Sequence, residues 1–492
     1  MTENDNVRLI LGLKVKTLRL AKGLSYQQLA EETGMSLSYV HDIETGKKFP
    51  KADKLLALAK SLGADYDYLV SLRGTKKLQP IIDLINADFI NAIPWEHFGL
   101  TPEALLNLFS NTPDKVTAFI STILKISRSY QLSKESFYNA ALRSYQELQD
   151  NYFEDIENEV KRFWIDNNWD NNFPTTLPML EATLKNMGIE VNRKKMASIE
   201  SLQSLRSFFS IKNKILYVTK GLSKAQEKFL LSREIAFQYL SITHRPYETI
   251  SRHSSSFEMI LNNFRASYFA VALLMLEEKF VEDIRNILTQ PKWNEKAWLN
   301  LCIEYDVTPE MMMQRLTNIL PKHFSIDHLF FLRISGNTSN DEFEITKELH
   351  LSQLHNPYAN STHEHYCRRW VSIKSLKQTA NLAANKKNKY PIVEAQISQY
   401  WQTHNRYLCI SFSKPGQKGS NEMISVTIGL LIDQKLLQTI SFVNDLSIPV
   451  KTVHTTCERC GIMDCKERAV PPIEILKAQQ EEKINTALKL LE

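Results

Sequence analysis

Leu24 to Pro50 reads LSYQQLAEETGMSLSYVHDIETGKKFP, and the spacing within it implies both a fold and a partner. Ser25 followed by Gln28 is a capping box, in which a hydroxyl and a side-chain amide satisfy free main-chain groups at the start of a helix. Leu29 and Ala30 are the inward positions of that short helix, and Gly34 supplies the bend after it. Ser36 caps a second helix that buries Val40 and Ile43. Leu37, Ser38, His41 and Asp42 then face outward, the geometry by which a recognition helix offers its first turns to base edges. Tyr26, Gln27, Ser36 and Tyr39 flank this surface and complete the candidate DNA-contacting set, together with Lys47 and Lys48 where the phosphate backbone would pass.

The stretch resembles the Cro/repressor-like (XRE) helix-turn-helix family at Leu29, Ala30, Gly34, Ile43, Glu44, Gly46 and Pro50. The resemblance implies a double-stranded DNA operator as partner. One departure is Tyr26, which stands where the family often has Gln for a phosphate or base contact.

Working outward, apolar residues at helical spacing (Leu55, Leu58, Ala59, Leu62) follow Pro50, and Tyr66 to Val70 adds a short closing helix. With a first helix carrying Lys14, Lys16, Arg19 and Lys22, this makes a five-helix module over residues 1–72, and RGTKK (Arg73 to Lys77) reads as a linker. Ten Lys and Arg stand against nine Asp and Glu through residue 72, so affinity for DNA has to come from local clusters. The clusters are the first-helix cations and Lys47, Lys48 and Lys51.

At 492 residues the chain is too long for one core, and a length prior gives about three or four domains. A hydrophobic share of 43% fits an ordinary globular protein rich in helix, and a net charge of +5 is too mild to indicate nucleic acid by itself. No apolar run approaches membrane-spanning length and MTENDNVRLI has no apolar signal core, so a cytoplasmic protein without a membrane partner is expected.

Residues 78–169 keep a helical pattern, with a cap at Thr101 ahead of Leu105, Leu106 and Leu108. Lys134 to Trp164 reads as one long amphipathic run bearing Phe137, Tyr138, Tyr145, Tyr152, Phe153, Phe163 and Trp164. Such an aromatic stripe is core or a subunit interface far more often than a cofactor box. Because repressors of this kind usually read two half-sites, the region is also the candidate homodimer interface. NNWDNNFPTT (Asn167 to Thr176) marks the next break.

Residues 177–320 read as a helix (Leu177 to Met187), a strand (Gly188 to Asn192), a strand pair near Phe208 to Ser210 and Ile215 to Val218, and further helices. This order resembles the ImmA/IrrE metallopeptidase-like fold, which carries a HExxH zinc motif. Here that motif reads Arg233-Glu234-Ile235-Ala236-Phe237, and Asn263 stands about where a third, acidic ligand belongs. With both histidines gone, one Glu cannot supply a zinc hydrolase site, so the expectation is a fold without the protease and no enzyme activity. The alternative function is a metallopeptidase that cleaves a repressor.

Trp293 to Leu320 has an apolar, Met-rich helical face suited to packing. Beyond it His328 to Ser335, Tyr407 to Ser413 and Met423 to Asp433 read as strands. The overall expectation is a multidomain protein, mainly α, with an α/β C-terminal sensory region over residues 325–472 and a terminal helix over 473–492.

Cys457, Cys460 and Cys465 place three of the six cysteines within nine residues. In a reducing compartment that density argues for metal, since CxxC lets two thiolates converge and a third five residues on reaches the same centre. Cys367 is the best fourth ligand, with His363 and His365 as competitors that would make a mixed zinc site. Cys302 and Cys409 sit in apolar patterns and read as core.

Taken together, the domain order, CxxW (Cys367 to Trp370) and CxxCxxxDCxxRxxPP (Cys457 to Pro472) resemble the short-chain acyl-CoA responsive regulators, including those of propionate metabolism and the glyoxylate bypass. The resemblance implies an iron-sulfur cluster of the 4Fe-4S kind on Cys367, Cys457, Cys460 and Cys465, with zinc as the alternative, and a short-chain acyl-CoA effector. Arg333, in FFLRIS, is the one residue offered for that effector.

Overall fold

The computed structural model describes residues 3–75, 78–79, 82, 134–169, 173–202, 204–249, 256–351, 364–385, 391–416 and 421–489. The expected helices between 83 and 133, including the cap at Thr101, lie outside them, as do His363 and the side chain of Phe137. Contacts divide the chain into two compact units: Met1–Tyr145 with His244–Pro246 and Ser251–Asn263, and Gln146–Thr243 with Tyr247–Ile250 and Phe264–Glu492.

In the first unit α1 (Glu3–Ala21), α2 (Tyr26–Thr33), α3 (Leu37–Glu44), α4 (Ala52–Leu62) and α5 (Tyr66–Val70) enclose one core. Leu11, Val15, Leu29, Val40, Ile43, Leu55, Leu58, Leu62 and Leu69 meet there, as amphipathic spacing requires. Gly12 lets α1 approach the end of α3 closely: a Cβ at this position would stand 2.7 Å from the Ile43 carbonyl oxygen.

The second unit opens with the end of α6 (Lys134–Leu148), then α7 (Glu154–Asp166) and α8 (Leu177–Asn186). Lys134 to Trp164 is therefore two helices and not one. The break comes at Asp150 and Asn151, whose φ values of 48° and 52° are left-handed. Asn151 holds it, donating to Thr317 Oγ1 at 2.8 Å while its carbonyl accepts from Asn318 Nδ2 at 2.9 Å. Phe153, Phe163 and Trp164 are buried, which makes their part of the aromatic stripe core.

A three-stranded sheet follows, β1 (Glu190–Asn192), β2 (Ser207–Ser210) and β3 (Ile215–Val218), in the order β1-β3-β2. Helices α9 (Lys224–Tyr239), α10 (Phe257–Leu274), α11 (Glu277–Leu288), α12 (Glu295–Glu304) and α13 (Pro309–Phe324) come next. An ion pair ties α7 to α13: fully buried Arg315 grips Glu157, with Arg315 Nη2 at 3.0 Å from Oε2, and Tyr268 Oη donates to the same carboxylate at 2.7 Å.

The larger sheet comprises β4 (Leu329–Asn337), β5 (Glu342–His350), β6 (Ile392–Tyr400), β7 (Arg406–Pro415), β8 (Glu422–Leu431) and β9 (Val450–Val453). Its order is β5-β4-β8-β7-β6-β9, antiparallel except for the parallel β6–β9 pair. Helix α14 (Val371–Ala384) packs on β6, β7 and β8. Much of that contact is a hydroxyl seam: Thr379 meets Ser413 at 2.7 Å, and Thr427 lies 2.9 Å from Ser372 and 2.8 Å from Ser411, all buried. After α15 (Gln434–Thr439) and β9, the cysteine loop leads into α16 (Ile473–Leu488).

Candidate nucleic-acid interface and cysteine loop

The local chemistry of α2 and α3 follows the reading of their sequence. Ser25 Oγ accepts from Gln28 N at 3.1 Å while Gln28 Oε1 accepts from Ser25 N at 2.8 Å. Gly34 takes φ 63°, a left-handed turn open to glycine, and Ser36 Oγ accepts from Tyr39 N at 3.2 Å to start α3.

This leaves Gln27, Ser36, Leu37, Ser38, Lys47 and Lys48 exposed and Tyr26, Tyr39, His41 and Asp42 half-buried. Leu37 is 53% exposed, an unusual cost for an apolar side chain and one that suits a surface meant to be covered. The Tyr26 and His41 rings lie 5.8 Å apart, so the aromatic residue after the cap steadies the imidazole at the centre of the outward face. Asp42 forms an ion pair with Lys48 at 3.0 Å, and the Lys48 ammonium stands 5.5 Å from the Tyr39 ring centre. The acid expected at bases and the lysine expected at phosphate are thus partners of each other here.

The first-helix cations require correction as a phosphate-binding cluster. Lys14 is buried and donates to the carbonyls of Tyr68 and Ser71, both at 2.6 Å; burial lowers its pKa to about 8. Arg19 is buried too, bidentate to Glu44 at 2.7 and 2.9 Å, with its guanidinium 4.1 Å from the Tyr26 ring centre. Lys16 is also buried, and Lys22 is exposed but donates to the Ser61 carbonyl at 2.8 Å. Sequence position alone put these four on one helix; the interior of the domain claims three of them.

In the second unit, the Arg233 guanidinium lies 5.9 Å from the Phe237 ring centre, and Glu234 between them is buried and accepts from Gln238 at 2.7 Å. Arg333 on β4 donates to Thr346 Oγ1 at 2.5 Å and lies 3.4 Å from Glu310.

Main-chain pairing brings Cys367 to the neighbourhood of Cys457 and Cys460. An isolated antiparallel bridge joins Tyr366 to Thr456, with Cys457 N donating to the His365 carbonyl at 2.8 Å and Cys367 N to that of Thr455 at 3.0 Å. Ninety residues of separation are closed by this bridge, and no spacing rule within the loop could have revealed it. Cys367, Cys457 and Cys460 are buried, while Cys465 is half-exposed. Burial pushes the Cys367 thiol up to about 11, opposed by main-chain N–H groups and reinforced by the neighbouring Cys457 and Cys460. His454 N and Ala469 N point at the sulfurs of Cys367 and Cys457, each at 3.5 Å. Arg468 folds the loop, donating to the carbonyls of Cys457, Cys460 and Ile462 at 2.7, 3.0 and 2.6 Å. No group of three or more His, Cys, Asp and Glu among the described residues is closed to metal-binding separation. His365 is held on the loop itself, its Nδ1 2.8 Å from Glu458, the residue after Cys457. Cys302 and Cys409 are buried in α12 and β7, Cys409 in the same apolar cluster as Cys367.

Residues 10–70 match the family described as "Helix-turn-helix domain". The uncharacterized HTH-type transcriptional regulator YobD of Bacillus subtilis (strain 168) is 34% identical over 95 residues, 19% of this chain and 83% of that protein. Control protein C.BamHI of Bacillus amyloliquefaciens is 37% identical over 60 residues, 12% of this chain and 74% of that one. A solved Mycobacterium tuberculosis transcriptional regulator is 16% identical with a TM-score of 0.48, over 67% of this chain and 94% of that one. The class defined by the exposed α3 face, the family match over residues 10–70 and the two Bacillus relatives is a helix-turn-helix DNA-binding protein. The chain belongs to the XRE-type helix-turn-helix transcriptional regulators. Among its described residues no single helix is long and apolar enough to cross a membrane.

Proposed function

We propose that this protein is a one-component transcription regulator that binds a double-stranded operator as a homodimer and adjusts its occupancy through its C-terminal sheet. The observation that carries the reading is the exposed first turn of α3, with Leu37 and Ser38 outermost, on a scaffold matched over residues 10–70. Ser38 and His41 contact bases, Asp42 joins them once Lys48 is drawn to phosphate, and Lys47 and Lys48 neutralise the backbone.

The sensory half of the proposal is a short-chain acyl-CoA, redox or combined signal received by the C-terminal unit. Cys367, Cys457, Cys460 and Cys465 would hold a 4Fe-4S cluster, or zinc, and the group would supply redox chemistry only in the first case. The donor set suits such a group in its residue types: three buried thiols, with main-chain amides aimed at two of the sulfurs that would steady thiolates once a cation neutralised them. Arg368 and Arg468 rigidify the two segments that carry the thiols. A near-complete swing between two states needs the signal to prefer one of them by roughly 5.5 kcal/mol.

The degenerate ImmA/IrrE-like region enters this proposal as a non-enzymatic scaffold, since Arg233 stacked on Phe237 offers a metal no donors. Selection of operator sequences from a random library, followed by titration of variants, tests the DNA half. Lys48→Ala should weaken every sequence similarly and reduce the salt slope by about 1, whereas His41→Ala should change base preference. An unaltered preference across the library in a His41→Ala, Asp42→Ala double variant overturns the base-reading assignment.

A further inference from the structure

The turn between β6 and β7 reaches the cysteine loop through one side chain. Trp401 N donates to the Val453 carbonyl at 2.9 Å, which closes the β6–β9 pairing at the end of β6. Gln402, with φ 58°, folds the chain back, and Tyr400 N donates to the Asn405 carbonyl at 3.0 Å. The indole is thereby held half-buried against Gly461, the residue after Cys460.

Gly461 is required there for space and not for its backbone. Its φ lies outside the left-handed region, so alanine would carry no conformational penalty at this position. A Cβ would nevertheless overlap Trp401 Cη2 and stand 2.7 Å from Cζ3 and 3.0 Å from Cζ2. The main chain has little freedom to back away, because Arg468 Nη2 holds the carbonyls on both sides, Cys460 at 3.0 Å and Ile462 at 2.6 Å. The same indole lies 6.3 Å, ring centre to ring centre, from His454, whose N–H points at Cys367 Sγ at 3.5 Å. One ring therefore neighbours both the chain that carries Cys460 and the residue whose amide faces Cys367.

We infer that Trp401 is a positioning residue for the cysteine centre, its indole being the stop against which the Cys457–Cys460 turn is set relative to Cys367. How tightly a metal is kept then depends on the fit of one indole to one glycine as well as on the thiols. The inference rests on the reading of Cys367, Cys457, Cys460 and Cys465 as one metal centre, and it adds two residues outside the ligand set.

The test is a size exchange at this contact, made in the full chain purified without oxygen. Iron, sulfide and zinc are measured per chain, and the rate at which a coloured chelator removes the metal is followed by visible absorption. Gly461→Ala should release its metal at least about tenfold faster than wild type, the scale for a residue that supports ligands from outside. Trp401→Leu, which removes the stop and leaves every thiol, should also release it faster. Adding Gly461→Ala to Trp401→Leu should then change the rate by less than about twofold, because the atoms that alanine would strike are gone. A Gly461→Ala chain that purifies empty counts as the expected loss only if the double variant regains metal. Equal losses from alanine in both backgrounds, no loss in either, or release from Trp401→Leu at the wild-type rate overturns the positioning role and leaves the metal reading standing. Wild-type protein with neither iron nor zinc overturns the metal reading, and the positioning role with it.

Discussion

Arg19, near the end of α1, stands 4.1 Å from the Tyr26 ring centre at the start of α2 and yet belongs to the interior. Its bidentate bond to Glu44, a residue only 1% exposed, fastens the end of α3 to α1, so the pair sets the angle at which the recognition helix leaves the domain. Removing only the cation strands a buried carboxylate, and Arg19→Met should therefore cost about 3–5 kcal/mol in a urea unfolding experiment. Arg19→Met combined with Glu44→Leu should recover much of that loss, because a buried pair is often replaceable by apolar residues of similar volume. Recovery of nothing would mean that Glu44 has an essential second role. The sequence gives Glu44 as a framework position and Arg19 as a basic residue, but their partnership spans 25 positions and has no local signature.

Elements were legible where their pattern was apolar or capped, and illegible where polar residues were used internally. Helices α2 and α3 carried Ser caps, and β7 and β8 were continuous apolar runs; all four stood out. Strand β6 and helix α14 did not, because Ser372, Ser375 and Thr379 face the interior and make the hydroxyl seam between helix and sheet, while Gln396 and Ser398 on β6 are buried and bond to each other. Hydropathy treats such residues as solvent-facing, whereas here they satisfy one another. The division of Lys134 to Trp164 had a signal in Gln149-Asp150-Asn151, since Asp and Asn tolerate a left-handed turn. At this scale one pH dependence follows. Burial by itself would raise the Glu277 carboxyl on α11, but bonds from Lys161, Tyr152 and His323 outweigh it and hold the pKa at about 2. The depressed value stabilises the fold above the ordinary value of 4.5, and that contribution is lost as pH falls from 4.5 toward 2. Melting temperatures from pH 6 to 3 should fall more steeply for wild type than for Glu277→Gln, the difference being on the order of 3 kcal/mol across the full window. Parallel curves would show that another group governs acid unfolding.

For the molecule as a whole, the cysteines supply the decisive experiment. Anaerobically purified Cys367→Ser, Cys457→Ser, Cys460→Ser and Cys465→Ser should each lose iron and sulfide, and the C-terminal unit should become more sensitive to heat, because site formation is coupled to folding. Cys302→Ser and Cys409→Ser, both in the core, should keep the metal. Full iron content in Cys367→Ser would remove that residue from the ligand set. The trio was readable from spacing, while the approach of Cys367 depended on a two-segment bridge that only the folded chain makes. The large sheet carries a further consequence in its borders. β5, EFEITKELH, lines one border with Glu342, Glu344, Lys347 and Glu348, and the other is the four-residue β9 with Lys451 exposed. Charge on one side and brevity on the other discourage a foreign strand from adding to either border, so the sheet resists the edge-to-edge stacking that begins aggregation and leaves self-association to side-chain surfaces.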